Sequence, residues 1–156
     1  RRHPALVLDV VGENRTVPPL DLQRAVRAVG LERHVHLSGF VGEADLALRY
    51  AAADVAVFLS EYEGFGLPAL EAMARGVPVV VSARPSLGEI FGEAALVVEP
   101  RDEPAVETAI ERALTDPAAR ADLIARGRGL AARYSWDETA RRTREVLAGA
   151  ARHGRR

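Results

Sequence analysis

The sequence predicts an α/β chain built on a doubly wound parallel sheet of about five or six strands, closed by helices at its C-terminal end. Three observations predict it. Short apolar, β-branched runs recur along the chain, helical patterns separate them, and after "ALVVEP" the alternation gives way to helix alone. Strands that are apolar at nearly every position are expected to be buried on both faces, as parallel strands are when helices cover them.

The five runs are "ALVLDVV", "HVHLSG", "DVAVFLS", "VPVVVS" and "ALVVE". The first connection, "PPLDLQRAVRAVG", has prolines ahead of a helix start and Gly30 at its end. In the second, "GEADLALRYAAA", Leu46, Leu48 and Tyr50 are expected near one face among alanines. "LPALEAMARG" places Pro68 where a first helical turn tolerates it and Gly76 as the stop, a helix of about two turns. Three helices follow, roughly over residues 103 to 115, 117 to 133 and 136 to 149. Asp116-Pro117 and Tyr134-Ser135-Trp136 punctuate them, with Ser135 as N-cap and Glu138 completing a capping box. These alternations make a Rossmann-like layer structure.

A chain of 156 residues, 48% hydrophobic, suffices for one compact domain, expected over residues 1–150, with residues 151–156 as a frayed basic tail. Twenty-one basic against 22 acidic side chains leave a formal net charge of -1, so no overall field draws the chain to nucleic acid or to a membrane. It has no cysteine, which excludes disulfides and thiolate metal sites and fits a reducing compartment: the cytoplasm, or the inner face of a membrane. His3, His34, His36 and His153 form no metal-ligand spacing, and no metal is expected. The sequence contains no lysine, which excludes Schiff-base chemistry by this chain. No apolar run approaches the roughly 20 residues needed to cross a bilayer. The opening "RRHPALVLDV" carries no leader and reads as the middle of a longer protein.

The chemistry concentrates in "SEYEGFGLPALEAMARG", residues 60 to 76, directly after the third strand. Doubly wound sheets bind ligands outside the carboxyl ends of their strands, where helix N-termini point inward. Gly64 and Gly66 allow close backbone approach or positive φ, and the amides opening the next helix suit an anion such as a phosphate. Glu71 has two oxygens that can accept from neighbouring hydroxyls, such as a ribose 2′,3′-diol. Glu63, on the loop, would be repelled by phosphate and should face sugar hydroxyls instead. Local physics leaves a second reading open: Glu71 favours the helix dipole, and Glu63 is a solvated loop acid.

The run "EGFGLPALEAMARGVPVVVS", with glutamates separated by seven residues at Glu63 and Glu71, resembles the signature of retaining glycosyltransferases of the two-Rossmann-domain (GT-B) type, family 4, the glycosyl transferases group 1. The likeness extends through "SGFVGEADLALRYAAADVAVFLS", "SLGEIFGEAALVVEP" and "ARYSWDETARRTREVL", which covers nearly all the chain.

The resemblance implies the C-terminal, donor-binding half of an enzyme that moves a sugar from a UDP-, GDP- or ADP-linked donor to an acceptor, with retention at the anomeric carbon. It gives Glu71 the ribose hydroxyls and Glu63 the catalytic place beside the donor sugar. Gly64 and the backbone N–H groups of Phe65, Gly66 and Leu67 would serve the distal phosphate and the sugar. Gly39, Phe40 and Val41 would lie near the base. No cofactor beyond the donor is implied, and no metal, since helix dipoles and cations take that role.

The family's arginine and lysine on the diphosphate fall before this chain's first strand, and the acceptor-binding N-terminal domain, through which any peripheral membrane contact would run, is absent too; the fragment alone is expected to be inactive. Leu59 stands where relatives often have proline. Trp136 and Tyr134 are expected to pack rather than stack on sugar, and the backbone of Phe65 to matter more than its ring. Arg75 and Arg84 are candidate replacements for the missing cations, Glu89 reads as structural, and Arg141, Arg142 and Arg144 as a solvated face. The alternatives are a non-catalytic nucleotide- or carbohydrate-binding or assembly module, a phosphorylase, and a nucleotide-sugar epimerase.

Overall fold

A computed structural model describes residues 3–153. Five strands alternate with helices: β1 (Leu8–Val11), α1 (Leu22–Ala28), β2 (Val35–Ser38), α2 (Glu43–Ala52), β3 (Ala56–Phe58), α3 (Leu67–Ala74), β4 (Val79–Ser82), α4 (Pro85–Phe91), β5 (Leu96–Val98), α5 (Glu103–Thr115), α6 (Pro117–Ala131) and α7 (Trp136–His153). All pairings are parallel, as expected. They form two ladders rather than one sheet, β1-β2 and β3-β4-β5. The chain accordingly divides into two compact units, residues 1–49 and 50–156.

In the first unit β1 and β2 run in register from Leu8 opposite Val35 to Val11 opposite Ser38. Asp21 caps α1 by accepting from the Arg24 amide at 2.8 Å, and Gly30, at φ 66°, turns the chain out of it. The expectation of strands buried on both faces fails here: no residue between 3 and 49 is buried, and Leu6, Val7 and Leu8 are about half exposed. A two-stranded ladder with one short helix and the first turns of another has too little structure to cover its own apolar side chains. Polar ties hold it instead, with Arg49 paired to both Asp9 and Asp45 and bonded to Ser38 Oγ at 3.0 Å.

The second unit carries the core. Every residue of β4 is buried, because β3 and β5 flank it and helices cover both its faces. Val80 meets Val98 and Ala109, so α5 covers one side. By strand alternation Val79 and Val81 face the other side, where α3 and α4 contact the strand and Met73, Leu87 and Phe91 are fully buried. Helix α6 packs on α3 so closely that a Cβ at Gly127 would lie 3.2 Å from Met73 Cγ.

On α2, Tyr50 is buried, while Leu48 is 69% exposed, not on the same face as expected; positions two apart on a helix diverge by about 200°. Helices α5 to α7 start where the punctuation puts them, with Asp102 and Asp116 accepting from their first amides. Ser135 Oγ accepts from the Glu138 amide at 3.1 Å, but the reciprocal half of the capping box is missing. The Glu138 carboxylate turns to Arg141 and Arg142 instead, each at 2.6 Å. Helix α7 runs on to His153, so residues 151–153 are helical, not a frayed tail; residues 154–156 lie outside the described ones. Among the described residues, no helix is long and apolar enough to cross a membrane.

Those two guanidinium groups, Arg141 first, hold the Glu138 carboxyl down from 4.5 to about 2. A depressed carboxyl stabilises the fold above its ordinary value, and that contribution disappears as pH falls through the folded value. We therefore expect the helicity of α7 to fall between pH 4.5 and about 2. Glu138→Gln should remove most of that dependence, as read from α7 carbon chemical shifts across an acid titration.

Candidate functional site

The loop between β3 and α3 sits at the carboxyl ends of the second unit's strands, and three kinds of tie fix it. Ser82, the last residue of β4 and fully buried, donates from Oγ to the Ser60 carbonyl at 2.7 Å. Glu61 accepts from Arg84 and Arg101, each at 2.8 Å. Arg101, then Arg84, hold the Glu61 carboxyl below its ordinary value. The Phe65 ring meets Tyr134 edge-on at 5.2 Å and Phe91 at 6.2 Å.

Between these ties stand the two glutamates. Glu63 is partly buried, and its Oε1 accepts from Ser60 Oγ at 2.9 Å. Glu71, one turn into α3, is also partly buried, and among the described residues its carboxylate has no hydrogen-bond or ion-pair partner. It lies near enough to Tyr50 that, after burial, it is the next cause raising that phenol above its ordinary value. Tyr50 Oη donates to the Pro68 carbonyl at 3.1 Å, tying the first turn of α3.

Gly66 opens α3 at φ 94°, and a Cβ there would lie 2.5 Å from Leu87 Cδ2 and 2.9 Å from Phe91 Cε2. Only glycine fits that backbone. Gly64 needs no positive φ, and a Cβ there would meet nothing within 4 Å. Its surroundings are open. Leu67, at the first helical position, is 46% exposed. Gly39, Phe40 and Val41 lie in the first unit, after β2, with the Phe40 ring 85% exposed.

Chemically, the loop offers a carboxylate fixed by a hydroxyl, a second carboxylate with open lone pairs, and free amides at a helix start. A match to the glycosyl transferases group 1 model spans residues 1–130. The chain belongs to that family. An O-antigen chain mannosyltransferase B of Escherichia coli is 44% identical over 112 residues, 72% of this chain and 29% of that protein. A glycogen synthase of Mycobacterium tuberculosis is 37% identical over 157 residues, 97% of this chain and 37% of its own length. The chain thus spans 29% to 37% of the length of these curated relatives.

Among solved structures, sucrose-phosphate synthase from Thermosynechococcus elongatus superposes with a TM-score of 0.76 at 32% identity, over 91% of this chain and 39% of that one. Anabaena Alr3699/HepE, solved in complex with UDP-glucose, superposes at 0.82 with 23% identity, over 94% and 42%. The likeness shows the fold: Rossmann-like parallel strands with C-terminal helices, as in the C-terminal domains of GT-B glycosyltransferases.

Two arginines weighed as candidate phosphate cations are engaged elsewhere. Arg84 is occupied by Glu61 and Glu99, and Arg75 lies over the Tyr50 ring at 5.2 Å, bonded to the Glu71 carbonyl; neither stands as a spare phosphate cation. The Phe65 ring packs edge-on against Phe91 and Tyr134. Tyr134 packs as expected, while Trp136 is 77% exposed. Sequence reading missed Ser60 and Ser82. Their signals were a hydroxyl three residues before a loop acid and a polar residue ending a wholly apolar strand.

Proposed function

We propose that this chain is the donor-binding half of a retaining glycosyltransferase that moves a sugar from a nucleoside-diphosphate donor to an acceptor hydroxyl. The observation that carries the reading is the pair of partly buried carboxylates across the start of α3, Glu63 fixed by Ser60 and Glu71 with unfilled lone pairs. Glu71 accepts from the ribose diol. The amides of Phe65, Gly66 and Leu67, beside the open space at Gly64, take the distal phosphate and the sugar. Gly39, Phe40 and Val41 line the base.

In the reaction the anomeric C–O bond to phosphate breaks, and its electron pair leaves on the diphosphate. The acceptor oxygen bonds to the same face of the anomeric carbon and passes its proton to the departing phosphate oxygen. Glu63 counters the positive charge at that carbon and orients the sugar hydroxyls, and the α3 amides stabilise charge on the leaving group. Family membership supports this chemistry, as do the mannosyltransferase and glycogen synthase among the relatives.

The chain's share of its relatives' length, 29% and 37%, supports the assignment to one half of the enzyme. The diphosphate cations and the acceptor site then belong to the rest of the protein, and this chain alone turns over no donor.

UDP and GDP are therefore expected to bind the isolated chain weakly, shifting amide resonances of residues 63–71 in a titration. Glu71→Ala should weaken the better of the two at least tenfold, the order expected for removing hydrogen bonds to a charged acceptor. Unchanged affinity would remove the ribose assignment.

A further inference from the structure

We propose that Ser60, anchored by Ser82, is the positioning residue that fixes the Glu63 carboxylate toward the donor sugar. This rests on the function proposed above and adds to it a residue that the paired glutamates do not themselves indicate. The chain of bonds begins in the core. The Ser82 hydroxyl ends a strand whose other members are valines, and a buried hydroxyl without a partner costs heavily, so its bond to the Ser60 carbonyl at 2.7 Å is obligatory there. That bond fixes the Ser60 backbone to the end of β4.

Ser60 then uses its own hydroxyl three residues ahead, on Glu63 Oε1 at 2.9 Å. The backbone around Glu63 is held on both sides, by Arg84 and Arg101 on Glu61 and by Phe91 and Tyr134 on Phe65. What remains free is the Glu63 side chain, with its rotatable bonds. The Ser60 hydroxyl removes that freedom. It occupies one oxygen and leaves the other to accept from a sugar hydroxyl in a set direction. Among the described residues Glu63 has no cationic partner, so its charge stays available to the developing positive centre.

A residue that acts through Glu63 must affect the sugar and spare the nucleotide. We would titrate the isolated chain by NMR with UDP and UDP-glucose, and with GDP and GDP-mannose, and use the pair that wild type binds better. Ser60→Ala should leave the free nucleoside diphosphate within about twofold of wild type and weaken the nucleotide sugar about five- to tenfold, the size of one charge-assisted hydrogen bond. Ser60→Thr, which keeps the hydroxyl, should restore nucleotide-sugar binding to within about twofold. Undisturbed amide shifts in α5 and α6 check that each variant is folded.

Equal weakening of sugar-bearing and sugar-free ligands, or wild-type affinity for both in Ser60→Ala, overturns the inference while the Glu71→Ala result still stands for the function. Absence of binding to either pair by wild type overturns both.

Discussion

Gly66→Ala is expected to lower the melting temperature of this chain by roughly 6 to 12 °C, the equivalent of about 3 kcal/mol in a chain of this size. Two independent costs combine. An alanine held at φ 94° is in backbone territory that L-residues rarely occupy, which costs on the order of 1–3 kcal/mol. Its methyl would also stand 2.5 Å from Leu87 Cδ2 and 2.9 Å from Phe91 Cε2, in a region where both side chains are fully buried and have nowhere to move, and overpacking of that kind costs roughly 1–3 kcal/mol. The steric part can be separated from the backbone part. Leu87→Ala alone leaves a cavity and destabilises by about 2–5 kcal/mol, yet that cavity is the space the new methyl needs. The double variant should therefore be more stable than the sum of the two single changes allows, by about 1 kcal/mol, within the range of coupling between residues that share a cavity. Strict additivity in urea denaturation would show that the clash plays no part, and a Gly66→Ala melting point within a degree of wild type would remove both arguments. Because Gly66 also aims the amides at the start of α3, the folded fraction of this variant should have lost its nucleotide-dependent amide shifts.

The parts of the fold that were legible are those whose causes are local. Helices α5 and α6 begin at Asp102 and Asp116 because each carboxylate accepts from amides two or three residues on, and a proline follows each in the first turn. Those interactions lie within four residues of chain and can be read from it. The Glu138 half of the capping box failed for an equally local reason, since arginines three and four residues ahead compete better for the carboxylate than one backbone amide does. The parallel sense of the pairing was legible, whereas which strands would be flanked and covered was not. "ALVLDVV" and "VPVVVS" look alike as sequence, but the second yields a strand flanked on both edges and covered on both faces, and the first an exposed strand with one partner. Which neighbours a strand finds is decided by the whole topology, which no short run of residues encodes. The candidate site divides along the same line. Its two acids and the two glycines between them lie in one continuous segment and were visible, whereas Ser82 reaches Ser60 across 22 positions. Arg84 could be read as a spare cation only while Glu61 and Glu99 were not known to surround it.

Unequal burial has a dynamic consequence that hydrogen-bond lengths alone do not foretell. The Leu8 amide donates to the His34 carbonyl at 2.7 Å and the Ala56 amide to the Pro78 carbonyl at 2.9 Å, so by geometry the first is at least as well bonded as the second. Leu8 is nevertheless 52% exposed, in a unit with no buried residue between 3 and 49, while Ala56 begins a strand laid against fully buried β4. Exchange requires opening, and opening free energy follows the apolar surface and ladder contacts that must be given up, from near zero in weakly packed segments up to the global value in the core. We expect native-state hydrogen exchange of this chain to show β1-β2 amides protected at least about 100-fold less than those of Ala56 and of β4, a gap of roughly 2.7 kcal/mol in opening free energy. The two groups should also differ in denaturant response. The first should exchange through local opening, insensitive to dilute urea, and the second through global unfolding, with a slope near the equilibrium one. Equal protection of Leu8 and Ala56 would show that the first unit is held by something other than the contacts described for it. The biological corollary concerns the proposed base-binding turn at Gly39, Phe40 and Val41, which leads directly out of β2: in the isolated chain it inherits that mobility, so the base should contribute little to affinity and UDP and GDP should bind within a few-fold of each other. A strong preference between them would mean that the turn is already ordered.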